Sequence, residues 1–476
     1  MACYAAPAGG RARLRRMKRL RDHFRQKSHS ARPQGILVGA FLATILAGTL
    51  LLWLPFASAS GVSVPFDVAL FTSTSATCVT GLSVVDIGSV FSTFGQAVIL
   101  SLIQVGGVGI MTVATFLLIM LGQRLSVRSE SVLATSIGEE QSAHLLVLLR
   151  RTIAFALVIE GLGTAVLAWR HWTAGCTPWR AIGLGGFHAV SAFCNAGFSP
   201  LADNLISLRH DSVYLTTILL LIFLGGIGFL VLHNVSQVRF WMRNRLRRGR
   251  VTAHSRMVLQ TSLGLILAGM LLFVAMEWNR GFAGLTAREK LLGALFHSVS
   301  SRTAGFNAVP MGGFSEPSRV ITMTLMFIGG SPGSTAGGIK TTTFLVLVLT
   351  VIAMIRGSPA TRYGVRAIPE TIVRESIVIF LLGLGLVTAV FTLLLLTENP
   401  PAGGNAALPL LFETVSAFGT VGFSLDYTPQ LSLAGRLLIV LTMFIGRLGP
   451  LTMVLIVGTA GRSDHIHFPE EEVVVG

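Results

Sequence analysis

The 476-residue chain is 52% hydrophobic and only 12% charged, with 29 phenylalanines and a mean hydropathy of +0.71. That balance excludes an ordinary soluble protein of two or three domains and leaves a polytopic membrane protein. The formal net charge of +16 would suit a nucleic-acid binder if it covered folded surfaces, but the basic residues fall in short segments between apolar runs, where they encode topology.

In chain order, residues 1–35 are a basic tail. Its stretch "RARLRRMKRLRDHFRQKSHSAR", from Arg11, is too basic and too long for a cleaved signal, and the apolar run behind it is long enough to span. Apolar runs follow at 36–56, 92–121, 152–169, 212–233, 258–276, 319–355, 376–396 and 431–459, each near or above the roughly 20 residues that a helix needs to cross hydrocarbon. Eight spans return the chain to its starting side. Of 37 Lys and Arg, 25 lie in 1–33, 122–151, 236–256 and 356–374. The positive-inside rule makes these alternate connections cytoplasmic, together with both termini. The stretch "RFWMRNRLRRGR" from Arg239 also suits a lipid- or partner-binding patch. Cys3, Cys78, Cys176 and Cys194 have neither CxxC nor metal-site spacing and read as small buried hydrophobes.

After the odd-numbered spans come four variants of one pattern: "FTSTSATCVTGLSVVD" from Phe71, "FHAVSAFCNAGFSPLAD" from Phe187, "FHSVSSRTAGFNAVP" from Phe296 and "FETVSAFGTVGFSLD" from Phe412. Each reads as a Ser/Thr-rich half-helix followed by a string ending in glycine, at Gly81, Gly197, Gly305 and Gly422. The following spans echo one another with "QVGGVGI", "FLGGIGF", "FIGGSPG" and "FIGRLGP". The chain is therefore predicted as an all-α membrane protein of four tandem helix, re-entrant segment, helix repeats around one pseudo-fourfold pore, with repeats at 36–121, 122–234, 235–357 and 358–460 and a tail at 461–476. Non-helical backbone at membrane depth must be buried in protein or line water. Four such strings on one axis would offer rings of carbonyls that replace a cation's hydration shell, and glycine permits the backbone angles this requires.

These words resemble the Trk/Ktr/HKT superfamily of potassium transporters, similar to four fused M1-P-M2 channel units; "SSRTAGFN", "SAFGTVGFS" and "GGSPGSTAGGIKTTT" are the most specific, and the eight-span count is closer to the KtrB branch than to the TrkH branch. The resemblance implies a potassium selectivity filter from the carbonyls of Val79, Thr80 and Gly81; Asn195, Ala196 and Gly197; Thr303, Ala304 and Gly305; and Thr420, Val421 and Gly422. Glycine in all four filter positions goes, in that family, with potassium preference. The third string is one residue shorter and carries Arg302, which needs a buried partner or an outward pose.

The break in the sixth span, residues 329–340, matches the family's intramembrane gating loop. Its candidate gate residues are Gly329, Gly330, Ser331, Gly333, Ser334, Thr335, Gly337, Gly338 and Lys340, faced by Arg447 from the last span. A Gly/Ser-rich segment has little side-chain packing to lose on moving. Arg447 would add an electrostatic barrier to cations; the alternative to a gate is a passive kink permitting close helix packing, and the alternative for Arg447 is a structural clamp on loop or helix-end carbonyls. The sibling spans are expected to carry glycines without interruption. Asp86, Asp203 and Asp426 follow the filter glycines and suit either an outer acidic vestibule or turn caps. Glu160 reads as a packed, hydrogen-bonded carboxylate, and His188 and His297 as packing or capping groups rather than proton relays.

The expected protein is thus a potassium-uptake subunit of a bacterial plasma membrane and not an enzyme: no catalytic or metal-type cluster and no nucleotide fingerprint appears. The resemblance further implies transported K+, possible Na+ dependence, a homodimer amid membrane lipid, and a cytosolic ring of nucleotide-binding RCK subunits. The rival reading is a sodium- or proton-coupled alternating-access carrier, against which direct two-helix repeats argue.

Overall fold

The computed structural model describes residues 33–109, 145–238, 251–398 and 406–449. The N-terminal tail to residue 32, the lower end of the second span, the loop at 122–144, the Arg-rich stretch at 239–250 and residues 450–476, with the end of the last span and the C-terminal tail, lie outside the described residues.

The described chain is helical apart from loops and one small hairpin, and its helices fall into four sets. The first comprises α1 (Pro33–Trp53), α2 (Phe66–Thr77), a single turn α3 (Ile87–Val90) and α4 (Thr93–Val108). The second comprises α5 (Leu145–Thr173), α6 (Pro178–Phe193), α7 (Ser212–Gly226) and α8 (Phe229–Gln237). The third comprises α9 (Ala253–Glu277), α10 (Ala287–Ser300), α11 (Glu316–Phe327) and α12 (Thr341–Ile355), followed by the hairpin β1 (Arg362–Tyr363) and β2 (Arg366–Ala367). The fourth comprises α13 (Glu370–Thr397), α14 (Ala407–Gly419) and α15 (Leu433–Leu448). Each set is an outer helix, a short pore helix and an inner helix. Local chemistry marks the starts. Ser92 and Ser432 cap α4 and α15, Asp211 caps α7, and Thr286 with Glu289 forms a capping box on α10.

The sets pack in a cycle. Each inner helix contacts the pore helix of the next set, α4 on α6, α7 on α10, α11 on α14, and finally α15 back on α2. The closing seam carries an ion pair between Arg436 of α15 and Asp67 of α2 at 2.7 Å, joining residues at opposite ends of the chain. The pore helices are the most buried elements, with Phe71, Phe296 and Phe412 at most 1% exposed and Phe187 4%. The outer helices instead expose leucines, among them Leu46, Leu162, Leu267 and Leu381, as a surface facing hydrocarbon must. Exposed Trp53, Trp169, Trp172 and Trp179 gather where outer helices hand over to pore helices, the position of an interfacial aromatic belt. Among the described residues, Thr152–Thr173, Ala253–Glu277 and Glu370–Thr397 are long and apolar enough to cross a membrane, and α7 and α8 meet the same criterion only when taken together across a 99° bend. This is a multi-pass membrane protein.

One expectation is corrected. The inner-helix break is not peculiar to the third set. α7 stops just before Gly228, with φ +92°, where α8 departs at 99°, and α4 and α15 are capped by Gly109 and Gly449, with φ of +91° and +87°, the last described residues of their stretches. The cause is a two-part use of the glycine cluster. The later glycine ends the helix in a conformation closed to residues with a Cβ. The earlier one, Gly106, Gly225 or Gly446, lies against the carbonyl at the pore helix's end, of Thr77, Phe193 or Phe418, where a Cβ would overlap that oxygen.

Gly225→Val is therefore expected to cost about 1–3 kcal/mol by overpacking against rigid backbone, lowering the midpoint of thermal unfolding in detergent. Gly264→Val, at a helical position with nothing within 4 Å, is the control expected to leave it unchanged.

Candidate functional site

The four glycine-ended strings meet at the centre of the cycle. A Cβ on Gly81 would overlap the carbonyl oxygen of Ala196; on Gly197, that of Ala304; on Gly305, that of Val421; and on Gly422, that of Thr80. The contacts run head to tail and close on themselves, so the carbonyls preceding the four glycines form one ring. The glycines have φ of +91°, +68°, +70° and +98°, and the residues two earlier, Val79, Asn195, Thr303 and Thr420, are also left-handed at +57°, +59°, +87° and +49°. A β-branched residue in that region is strained, which requires surroundings that fix it.

The fixing group is a serine that sequence reasoning passed over. Ser75, Ser191, Ser300 and Ser416 stand four residues after the pore-helix phenylalanines. Their backbone carbonyls accept the N–H of Thr80 (2.8 Å), Ala196 (2.7 Å), Ala304 (2.9 Å) and Val421 (2.9 Å). Ser75 and Ser416 also accept the glycine N–H of Gly81 and Gly422 on their hydroxyls at 3.1 Å, whereas Ser191 and Ser300 donate to the carbonyls of Phe198 and Phe306 at 2.8 and 2.9 Å. The signal was present as "FxxxS" in all four copies, hidden among neighbouring serines and threonines. The missing residue of the third string falls after its serine, so the middle carbonyl keeps its place.

Residues 329–340 lie beside this ring. The loop is closed at its base by a bridge between Ile328 and Ile339, and Gly333 and Gly338 turn it at φ of +67° and +66°. Within it Thr341 N–H donates to Gly330 O (3.0 Å), Ser334 Oγ to Ser331 O (2.6 Å), and Thr341 Oγ1 to Ser331 Oγ (3.2 Å). Ser331 N–H reaches Gly226 O at 3.1 Å, and Phe229 N–H reaches Gly333 O at 3.0 Å, seating the loop on the break in the second inner helix. Thr335 Oγ1, fully buried, accepts from Asn195 Nδ2 at 2.7 Å and lies 3.2 Å from both Phe193 O and Gly225 O. Gly337 faces the hydroxyl of Thr420 so closely that a Cβ would displace it. Gly329 in turn lies against Gly337 O. Arg447 donates to Thr335 O and to Gly106 O, tying the loop to the first and fourth inner helices. Lys340 bends back, donating from Nζ to Ala336 O at 2.7 Å.

The chemistry available here is that of neutral oxygens. Among the described residues no group of three His, Cys, Asp or Glu stands at metal-holding distance. The ring itself presents backbone carbonyl dipoles, without a charged side chain among the residues that form it. Unpartnered buried hydroxyls of Thr80, Thr303 and Thr420 and the Oδ1 of Asn195 add oxygens at the strings themselves.

Residues 14–466 match the TrkH family, described as cation transport protein. The chain belongs to this family. A Ktr system potassium uptake protein B from Bacillus subtilis is 38% identical over 451 residues, 93% of this chain and 96% of that protein. The protein of the same name in Vibrio alginolyticus is 35% identical over 96% of this chain and 97% of its own length. The potassium/sodium uptake protein NtpJ of Enterococcus hirae is 34% identical over 93% of this chain and 97% of its own. Among solved structures, the potassium transporter TrkH from Vibrio parahaemolyticus is similar in fold, with a TM-score of 0.65 at 20% identity over 90% of this chain and 86% of that one.

The remaining sequence candidates fall into place around the ring. Arg302 is buried and donates to Ser262 O and Oγ at 3.3 Å and to Gly329 O at 3.4 Å, so it lies behind the ring, against the outer helix and the loop's first residue. Glu160 accepts from Gln104 Nε2 at 3.1 Å, beside Cys194. His188 bonds Leu184 O (3.0 Å) and Ser199 Oγ (2.9 Å), and His297 bonds Thr322 Oγ1 (3.1 Å). Asp86 and Asp203 accept local backbone N–H groups as caps, at 3.1 Å from Gly88 N and 2.7 Å from Ser207 N. Asp426 occupies a turn at φ +61°. Cys78 and Cys194 are buried, as expected, but Cys176 is partly exposed; Cys3 lies outside the described residues.

Ser75→Ala and Ser416→Ala each leave a glycine N–H without its side-chain acceptor. Each should cost about 1–3 kcal/mol, read as a lowered unfolding midpoint in detergent.

Proposed function

We propose that this chain conducts potassium ions into the cell through the central ring, with residues 329–340 as the gate. The observation that carries the reading is the head-to-tail closure of four glycine-ended strings. It sets backbone carbonyls around one axis without a fixed negative charge, so a cation exchanges its hydration shell for dipoles and still leaves. In this reading the filter consists of the carbonyls of Val79, Thr80 and Gly81 and their counterparts at 195–197, 303–305 and 420–422. The pore-helix entries face outward, and the basic end and both termini face the cytoplasm of a bacterial inner membrane. An inside-negative potential supplies about 2.3 kcal/mol per charge per 100 mV, so uptake needs no other energy source.

The gate reading is supported by where the loop lies and by what holds it. Thr335 and Gly337 touch the first residues of the second and fourth strings, and Arg447 adds a positive charge on the ion's route while holding Thr335 O. Moving the loop breaks the Asn195–Thr335 bond, so leaving the pore and releasing the filter side chain are one event. The names of the potassium-uptake relatives support potassium as the ion, and that of NtpJ supports testing sodium as a co-substrate. A homodimer and a cytosolic ring of nucleotide-binding subunits acting on the basic end complete the proposal. The four sets repeat in one orientation, which favours a pore over a carrier that rocks between inverted halves.

The test is potassium and sodium flux into liposomes holding the purified chain at an imposed inside-negative potential. Deleting residues 330–337 should raise flux with potassium preference kept, while Gly305→Ser should remove the preference. Loss of flux from a folded deletion protein would refute the gate and return the carrier reading. Thr335→Val should raise basal flux about fivefold for each kcal/mol lost from the closed state. Asn195→Leu should add little in the Thr335→Val background; additive effects would mean that the two residues do not act as one bond.

A further inference from the structure

A second site stands away from the pore, at the basic end of the third set. A cavity of about 750 Å³ opens between the first turns of α9 and the β1–β2 hairpin, lined by Arg256 and Gln260 of α9 and by Tyr363, Val365 and Arg366 of the hairpin. The hairpin register pairs Tyr363 with Arg366, which puts both on one face of the ribbon, and Tyr363 donates its hydroxyl to Gln260 Oε1 at 2.6 Å, fixing that face toward α9. Two arginines from separate elements, Arg256 and Arg366, thereby line one cavity. Neither has an ion-pair partner among the described residues, no lining residue is acidic, and the nearby Glu370 is taken by Arg374 at 2.6 Å. Two like charges at one cavity repel; an anion between them converts the repulsion into paired, charge-assisted hydrogen bonds.

The face of α9 that lines the cavity continues along the helix. From Arg256 and Gln260, steps of three or four residues lead to Leu263, Leu267 and Leu271, which are 53%, 47% and 66% exposed. At 1.5 Å per residue this apolar stripe runs from about 10 to 22 Å beyond Arg256. α9 itself is long and apolar enough to cross the membrane, so Arg256, one turn from its start, stands at headgroup depth. Val365, at the hairpin tip, is 100% exposed and apolar, and exposed Met354 and Ile355 end the adjoining α12. A basic pocket over a continuous apolar stripe matches a molecule with a phosphate at one end and a hydrocarbon chain at the other.

We propose that the cavity binds the phosphate group of an anionic membrane lipid, between Arg256 and Arg366, with an acyl chain along Leu263, Leu267 and Leu271. The site is independent of the pore reading, and its test measures binding rather than transport. Purified, delipidated full-length chain would be titrated in detergent with phosphatidylglycerol, phosphatidylcholine and inorganic phosphate, reading bound lipid by native mass spectrometry and unfolding midpoint by thermal melting. Phosphatidylglycerol should bind and raise the midpoint, and phosphatidylcholine and inorganic phosphate should do neither. Arg256→Gln with Arg366→Gln should weaken phosphatidylglycerol binding about tenfold or more. Arg356→Gln, which removes an exposed charge at the same end without lining the cavity, should not. Equal binding of the two lipids, equal loss in Arg356→Gln, or inorganic phosphate displacing the lipid at millimolar concentration would each overturn the proposal. Because the wild-type lipid comparison needs no variant, the outcome does not depend on how the substitutions fold.

Discussion

The architecture depends on the contact between a glycine α-carbon and the carbonyl oxygen of the next string. Repeated four times, it leaves no room at the centre for a Cβ and sets how close the four strings stand. The rest of each set serves that closeness. The pore helix presents its serine carbonyl to the middle residue of the string, fixing a left-handed conformation that Val79 or Thr420 would not adopt unaided. The inner helix approaches the pore helix's end through a second glycine and then turns away through a third. Outer helices need only cover this assembly and face lipid, which explains why so much of their exposed surface is leucine.

Much of this was legible in the chain. The strings could be recognised because a positive-φ residue in a close-packed ring must be glycine, and four glycines at matching places in four related segments are hard to produce otherwise. The serine support was as regular but invisible, since a hydroxyl that matters looks like the neighbouring hydroxyls of Thr72, Ser73 and Thr74 until hydrogen-bond directions are known. The inner-helix breaks were underestimated for a similar reason. Proline marks the third loop, whereas Gly228 breaks its helix, and Gly109 and Gly449 cap theirs, through backbone angle alone, which residue type permits but does not demand. Contacts such as Asn195 with Thr335 join residues 140 positions apart and follow from the cyclic order of the sets, which no local pattern contains.

The buried charges fit the same frame. Arg302 and Arg447 both end on backbone carbonyls, and Lys340 does so within its own loop. A carbonyl satisfies a guanidinium or ammonium donor without neutralising it. The centre of the molecule therefore holds positive charge beside a ring of negative dipole ends.

The asymmetry among the four sets carries a consequence for assembly. A pore made from four identical chains would repeat any loop four times about its axis, and four copies of residues 329–340 would claim the same space beside the ring. Here one polypeptide supplies all four sets, so a single loop approaches from the third set while the second provides its seat, and the fourth spans from it to the first through Arg447. Fusion into one chain allows each quarter of a symmetric structure to mutate separately, and a single off-axis loop of this kind is open only to a molecule whose fourfold symmetry is architectural rather than genetic.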